Sequence, residues 1–285
     1  MEQFRHGELV FDVIDEGPAD GPVVVLLHGF PQFNFSWKGV ISRLTAAGYR
    51  CLAPNQRGYS PGARPRRRRD YRAPDLAKDV QALIDASGAE RVHLVGHDAG
   101  ATVAWVVADD VPDRLASLTT LSVPHPAAFL NAMLTSRQIL ASWYIFFYQL
   151  PRIPEWYFRR HDWSGMLDFT QRLTHQRAED AVRDARAMAE SGALTYALHW
   201  YRAVPLTGMR RARHKTTVPT MFIWSDGDTA VHGKGARNTG RFVNADYRFE
   251  VLKGVSHWIP DDEPDAVADL LLDWFDTHPV VPGAV

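Results

Sequence analysis

Short, fully apolar runs alternate along the chain with longer stretches in which apolar residues recur every three or four positions. Val23-Val24-Val25-Leu26-Leu27 has no polar residue and ends in His28-Gly29-Phe30-Pro31, the pattern of a buried central strand feeding a loop. Tyr49 to Pro54 reads as the next strand, with Asn55 to Ser60 as its loop. Asp75 to Ser87 places Leu76, Val80, Leu83 and Ile84 on one side of an amphipathic helix. Arg91 to Val95 is again an apolar run, Ala101 to Ala108 is helix-like, and Leu115 to Val123 is apolar. Strands separated by helices predict an α/β fold, a mostly parallel sheet flanked by helices on both faces.

The pattern changes at Pro124. From there to Arg213 the stretches are helical and dense in aromatics, Trp143, Tyr144, Phe146, Phe147 and Tyr148 among them, with no strand candidate. Alternation resumes with Val218 to Trp224 and Tyr247 to Leu252, and Glu263 to His278 reads as a closing helix. The expected organisation is therefore a sheet domain in two parts, residues 1–123 and 214–285, interrupted by an all-helical cap over residues 124–213.

Composition narrows the setting. With 285 residues, 46% of them apolar, the chain can bury a large core, and its net charge of -1 gives no overall pull toward nucleic acid or an anionic membrane. Arg66-Arg67-Arg68-Arg69 is the local exception, read as a solvated loop rather than a polyanion site. The single cysteine, Cys51, excludes an intrachain disulfide, and the twelve histidines form no metal-ligand spacing; no metal and no cofactor is expected. No apolar signal core and no stretch of membrane-spanning length is present, so the expected setting is cytoplasmic, with a small molecule and water as partners, no nucleic acid, no membrane, and a homo-oligomer left open.

The chemistry centres on Gly96-His97-Asp98-Ala99-Gly100, between a strand and a helix. This is the setting of a nucleophile elbow, a sharp turn that lifts one side chain off the sheet, and here that side chain is Asp98. An aspartate before a helix is commonly an N-cap, so the short motif alone decides nothing. Two further loops decide it. Trp224-Ser225-Asp226-Gly227-Asp228 and Gly254-Val255-Ser256-His257-Trp258 each follow a strand, giving the order nucleophile, acid, histidine. Asp228 is the favoured acid and Asp226 its competitor. A carboxylate nucleophile can attack saturated carbon and form an alkyl ester, whose hydrolysis then needs a general base and an oxyanion hole.

On these residues the chain resembles α/β-hydrolases of the soluble epoxide hydrolase family over essentially its whole length. Two cap segments add to the likeness: Tyr144-Ile145-Phe146-Phe147-Tyr148-Gln149 is similar to the family's Y-x-x-x-F-Q, and His199-Trp200-Tyr201-Arg202 to its N-W-Y-R. The resemblance implies that Tyr144 and Tyr201 hold and protonate an epoxide oxygen, and that the backbone N–H groups of Phe30 and Ala99 form the oxyanion hole. Tyr148, one helical turn from Tyr144, is a rival for the first position. It also implies a cis peptide at Pro31. Three residues depart from the family pattern: Ala99 replaces a frequent tryptophan, His199 an asparagine, and Tyr148 a phenylalanine.

The activity so implied is hydration of an epoxide to a vicinal diol. A haloalkane or haloacid dehalogenase shares the nucleophile and base, but Ala99 supplies neither the tryptophan nor the arginine that such enzymes place after the nucleophile. A hydrolase-fold binding protein without turnover would need no nucleophile, acid, base and tyrosine pair. A serine-type esterase lacks its hydroxyl.

Overall fold

In the computed structural model, which describes residues 1–207 and 214–280, eight strands form one sheet. They are β1 (Gln3–His6), β2 (Leu9–Glu16), β3 (Val23–Leu27), β4 (Arg50–Pro54), β5 (Val92–His97), β6 (Leu115–Leu121), β7 (Thr220–Ser225) and β8 (Tyr247–Leu252). Their order across the sheet is β1-β2-β4-β3-β5-β6-β7-β8. From β4 to β8 every neighbour is parallel; β1 and β2 pair antiparallel at one edge. That edge was not expected. Its strands carry Asp12, Asp15 and Glu16 between apolar residues, and only Phe4, Phe11 and Val13 point into the core.

β3, β5, β6 and β7 are buried along their whole length, which is why none of them alternates apolar with charged residues, and β3 is apolar throughout. Two apolar clusters separate across the sheet. One joins Leu27, Leu94 and Val103 to the cap; the other joins Leu26, Val95 and Ile223 to the helices beneath. The helices of the sheet domain's first part are α1 (Lys38–Ala46), α2 (Ala73–Ser87) and α3 (Ala99–Asp110).

Next come α4 (Pro126–Thr135), α5 (Gln138–Ala141), α6 (Trp143–Phe147), α7 (Ile153–Thr174), α8 (Ala178–Ser191) and α9 (Leu194–Arg202), with no strand among them. The helices α6 to α9 form the inserted cap. α7 leaves helical geometry between Arg160 and Trp163. α10 (Gly233–Asn238) packs against α4, and α11 (Ile259–Asp262) and α12 (Pro264–Thr277) close the chain's second sheet part. The expected cap boundary at Arg213 and the end of the second part, residues 281–285, lie outside the described residues.

The order of strands sets the site. The connection after β3 runs to β4 on one side and that after β5 runs to β6 on the other, so a crevice opens between β3 and β5 at their carboxyl ends. His28 to Pro31 leave β3 there, and Asp98 leaves β5.

Candidate active site

Asp98 stands at φ 49°, ψ -120°, a backbone region that costs a non-glycine residue roughly 1–3 kcal/mol. Close packing around it holds the turn in place. A Cβ on Gly100 would lie 2.4 Å from the Leu27 carbonyl oxygen, and one on Gly29 would lie 2.5 Å from the Asp98 Cβ. Glycine at both positions lets the elbow sit directly on the end of β3. Although Asp98 occupies the N-cap position of α3, its side chain makes no capping bond, which removes the N-cap reading. Its Oδ2 instead accepts the Phe30 N–H at 2.9 Å. Thus one carboxylate oxygen is held by the loop that leaves β3. Ala99, the other residue expected in the hole, begins α3 directly after the nucleophile.

The loops after β7 and β8 bring the acid and the histidine together. Asp228 Oδ2 lies 2.8 Å from His257 Nδ1, and its Oδ1 accepts the N–H groups of Ala230 and Val231 at 2.8 and 2.9 Å. Asp226 turns away and accepts the Gly254 N–H at 2.6 Å, tying one loop to the other. The remaining histidine nitrogen, Nε2, is 3.7 Å from Asp98 Oδ1. Burial disfavours charge on His257, but the carboxylates of Asp228 and Asp98 outweigh it and push its pKa up to about 10. Burial likewise acts against the Asp98 carboxylate, and His257 outweighs it, so that Asp98 stays below the usual carboxylate range. In the resting site the two form an ion pair.

Tyr144 and Tyr201 face the same space from α6 and α9, their ring centroids 6.2 Å apart. Tyr201 packs edge-on to Phe30 at 5.5 Å. Burial and then the charge of Asp98 raise both phenols above their ordinary pKa, so they remain protonated donors. Tyr148 is fully buried, 4.8 Å from the Tyr201 ring, and its hydroxyl has no hydrogen-bond partner.

The two cap segments lock each other. The Gln149 amide donates to the Tyr201 carbonyl at 2.8 Å. In return Arg202 donates to the carbonyls of Tyr148 and Leu150 and makes a two-point ion pair with Glu155. Trp200 Nε1 donates to the Arg57 carbonyl, fastening α9 to the sheet domain. His199, where the family pattern has asparagine, packs edge-on to Tyr71, and its Nδ1 has no hydrogen-bond partner among the described residues.

Sequence reasoning gave Gln149 and Arg202 only as parts of motifs, and it missed Gln32 and His97. His97, between the elbow glycine and Asp98, places Nε2 2.9 Å from the His257 carbonyl oxygen and Nδ1 3.1 Å from Gln32 Oε1. Gln32 in turn donates to Asp261. Their signal was position alone, one residue from Asp98 and one from Pro31. His28 shapes the loop after β3: its Nδ1 meets the Gly29 carbonyl, and its Nε2 accepts the Gln56 N–H. The Phe30–Pro31 peptide is cis.

A family model described as alpha/beta hydrolase fold matches residues 22–264. The chain belongs to that family. It is 36% identical to the AB hydrolase superfamily protein YfhM of Bacillus subtilis, over 93% of this chain and 94% of that one. It is 30% identical to epoxide hydrolase A of Mycobacterium tuberculosis over 92% of each. Among solved structures it is similar to epoxide hydrolase A from Mycobacterium thermoresistibile, with a TM-score of 0.86 and 25% identity over 98% of both chains. Among the described residues no helix is long and apolar enough to cross a membrane.

Proposed function

We propose that the protein is an epoxide hydrolase working through an alkyl ester on Asp98. The observation that carries this is a carboxylate, rather than a hydroxyl, at the elbow, paired with His257 and faced by Tyr144 and Tyr201. Its relatives named as epoxide hydrolases support the same reading.

In the first step Asp98 Oδ1 bonds to an epoxide carbon while the carbon–oxygen bond breaks. The oxygen takes a proton from Tyr144 or Tyr201, since an alkoxide is a far stronger base than a tyrosinate, whose acid has a pKa of about 10 in water. No general base is needed here, so a protonated His257 does not obstruct attack. Ester formation removes the Asp98 charge. With one of its two carboxylates gone, His257 holds its proton less strongly, can return it to the tyrosinate, and becomes the base for water.

Water then loses a proton to His257 and adds to the ester carbon, while the N–H groups of Phe30 and Ala99 hold the developing oxyanion. Collapse expels the diol oxygen, which His257 protonates, and leaves Asp98 as a carboxylic acid, whose proton passes to His257 and restores the ion pair. Asp228 keeps His257 oriented and balances its charge. The sheet domain, residues 1–123 and 214–285, supplies nucleophile and base; the cap, residues 124–213, supplies the acid. We infer a hydrophobic epoxide and water as reactants, no role for nucleic acid, and a cytoplasmic setting, with self-association open to measurement.

A panel of epoxides and haloalkanes assayed for diol and for halide tests the reading. Diol from at least one epoxide is expected, no halide, and no turnover in Asp98→Ala. Halide release without diol would contradict it, because Ala99 offers no side-chain donor to a leaving halide.

A further inference from the structure

More than half of the large apolar side chains left exposed among the described residues lie in one stretch, between Leu134 and Trp156, that leads into the cap. Leu134 is 76% exposed, Leu140 69%, Phe146 57% and Trp156 68%. They succeed one another on the end of α4, on α5, on α6 and on the start of α7. On α6 Trp143 and Phe146 are exposed, while Tyr144 and Phe147 turn toward the core. Exposed apolar side chains gathered on successive helices of a globular domain mark an interaction site.

Its charge indicates the partner. From Pro126 to Arg159 the chain carries Arg137, Arg152 and Arg159 against one acid, Glu155, which is buried in its ion pair with Arg202; Arg160, next in the chain, pairs with Asp168. Arg137, Arg152 and Arg159 are exposed. Exposed tryptophan, phenylalanine and leucine interspersed along the chain with exposed arginine match an anionic bilayer surface, where aromatic rings sit at headgroup depth and guanidinium groups meet phosphate. A second copy matches worse. A twofold contact would set the patch against itself and bring like charges together, with no exposed acid in the stretch to meet them.

We propose that the face formed by the end of α4, α5, α6 and the start of α7 docks on an anionic lipid surface. The helices are short and would lie in the interface rather than cross it. This departs from the sequence expectation of no membrane partner, which rested on overall charge and on the lack of a span; neither reads a local surface. The face also adjoins the tyrosines, since Trp143 lies 6.5 Å from Phe169 and Phe169 lies 6.0 Å from Tyr144. Presentation of a bilayer-dissolved epoxide to the cap rests on the hydrolase reading; docking itself does not.

The test is flotation of the full chain with vesicles of phosphatidylcholine alone or mixed with phosphatidylglycerol. Wild type should float with the mixed vesicles and do so on the order of ten-fold less with neutral vesicles or in high salt. The double variant Phe146→Ser/Trp156→Ser should lose flotation while keeping its circular dichroism. Arg137→Gln/Arg152→Gln should weaken flotation with the apolar contact intact, which keeps the question answerable if the first variant misfolds. Wild type that stays unbound at all compositions overturns the proposal. So does a wild-type dimer, seen by ultracentrifugation, that the apolar variant converts to monomer, because the face then belongs to a second copy.

Discussion

His257 lies between two carboxylates, one fixed by backbone N–H groups and one free to become an ester, and its proton affinity depends on both. Removing the Asp98 charge should therefore lower the pKa of His257 even without substrate. Histidine proton NMR should place its titration near pH 10 in wild type and clearly lower in Asp98→Asn. Because the folded pKa is raised, the pair's stabilisation is present below the unfolded value of about 6.5 and is lost as pH rises through about 10. An unchanged titration in Asp98→Asn would mean that Asp228 alone sets the charge. The tyrosines make a second residue-scale prediction. Tyr144→Phe or Tyr201→Phe should each leave partial alkylation through the remaining donor, and the double variant should lose about 10²-fold or more in single turnover. A double variant alkylating at the wild-type rate would remove the tyrosines from the mechanism, and a comparable loss in Tyr148→Phe would move the first donor by one helical turn.

At the scale of elements, each tyrosine depends on a contact made by its neighbour in sequence. Arg202 holds the carbonyls of Tyr148 and Leu150 as well as Glu155, so Arg202→Met should leave a buried carboxylate unpaired and cost about 3–5 kcal/mol. Burial acts against ionised Glu155, and Arg202 outweighs it, holding its pKa below the ordinary value. The contribution is present above about pH 4.3 and is lost as pH falls through the lowered value. Denaturant unfolding against pH measures both; an Arg202→Met midpoint equal to wild type would show that the lock carries no stability. These contacts also mark how much a sequence displays. Val23 to Leu27 announces itself because full burial removes every polar residue, and Asp98 because a strained turn admits so few flanking residues. β1 and β2 did not stand out, because their core contacts alternate with charges at a sheet edge. Gln32 and His97 were illegible for another reason: their partners, Asp261 and the His257 carbonyl, are brought near only by the completed sheet, and no local spacing records that.

Across the whole molecule, the sheet domain and the cap meet around one carboxylate. The strand order opens the crevice beside β3, the elbow lifts Asp98 into it, the loops after β7 and β8 supply Asp228 and His257, and α6 and α9 face them with tyrosine. Ties across the boundary keep that geometry, among them Trp200 to the Arg57 carbonyl, Arg183 to Asp261, and Trp258 Nε1 to Thr174 at 3.1 Å. Two of them reach residues next to or close after His257, so the cap is fastened where the base sits. The account stands or falls on the ester. His257→Gln keeps the nucleophile and the tyrosines but lacks the base for water, so it should accumulate the intermediate. Intact-protein mass spectrometry of this variant, after mixing with an epoxide that wild type converts, should show the chain heavier by one substrate, with the added mass on the peptide carrying Asp98. An unmodified His257→Gln chain, under conditions in which wild type forms diol, would contradict it.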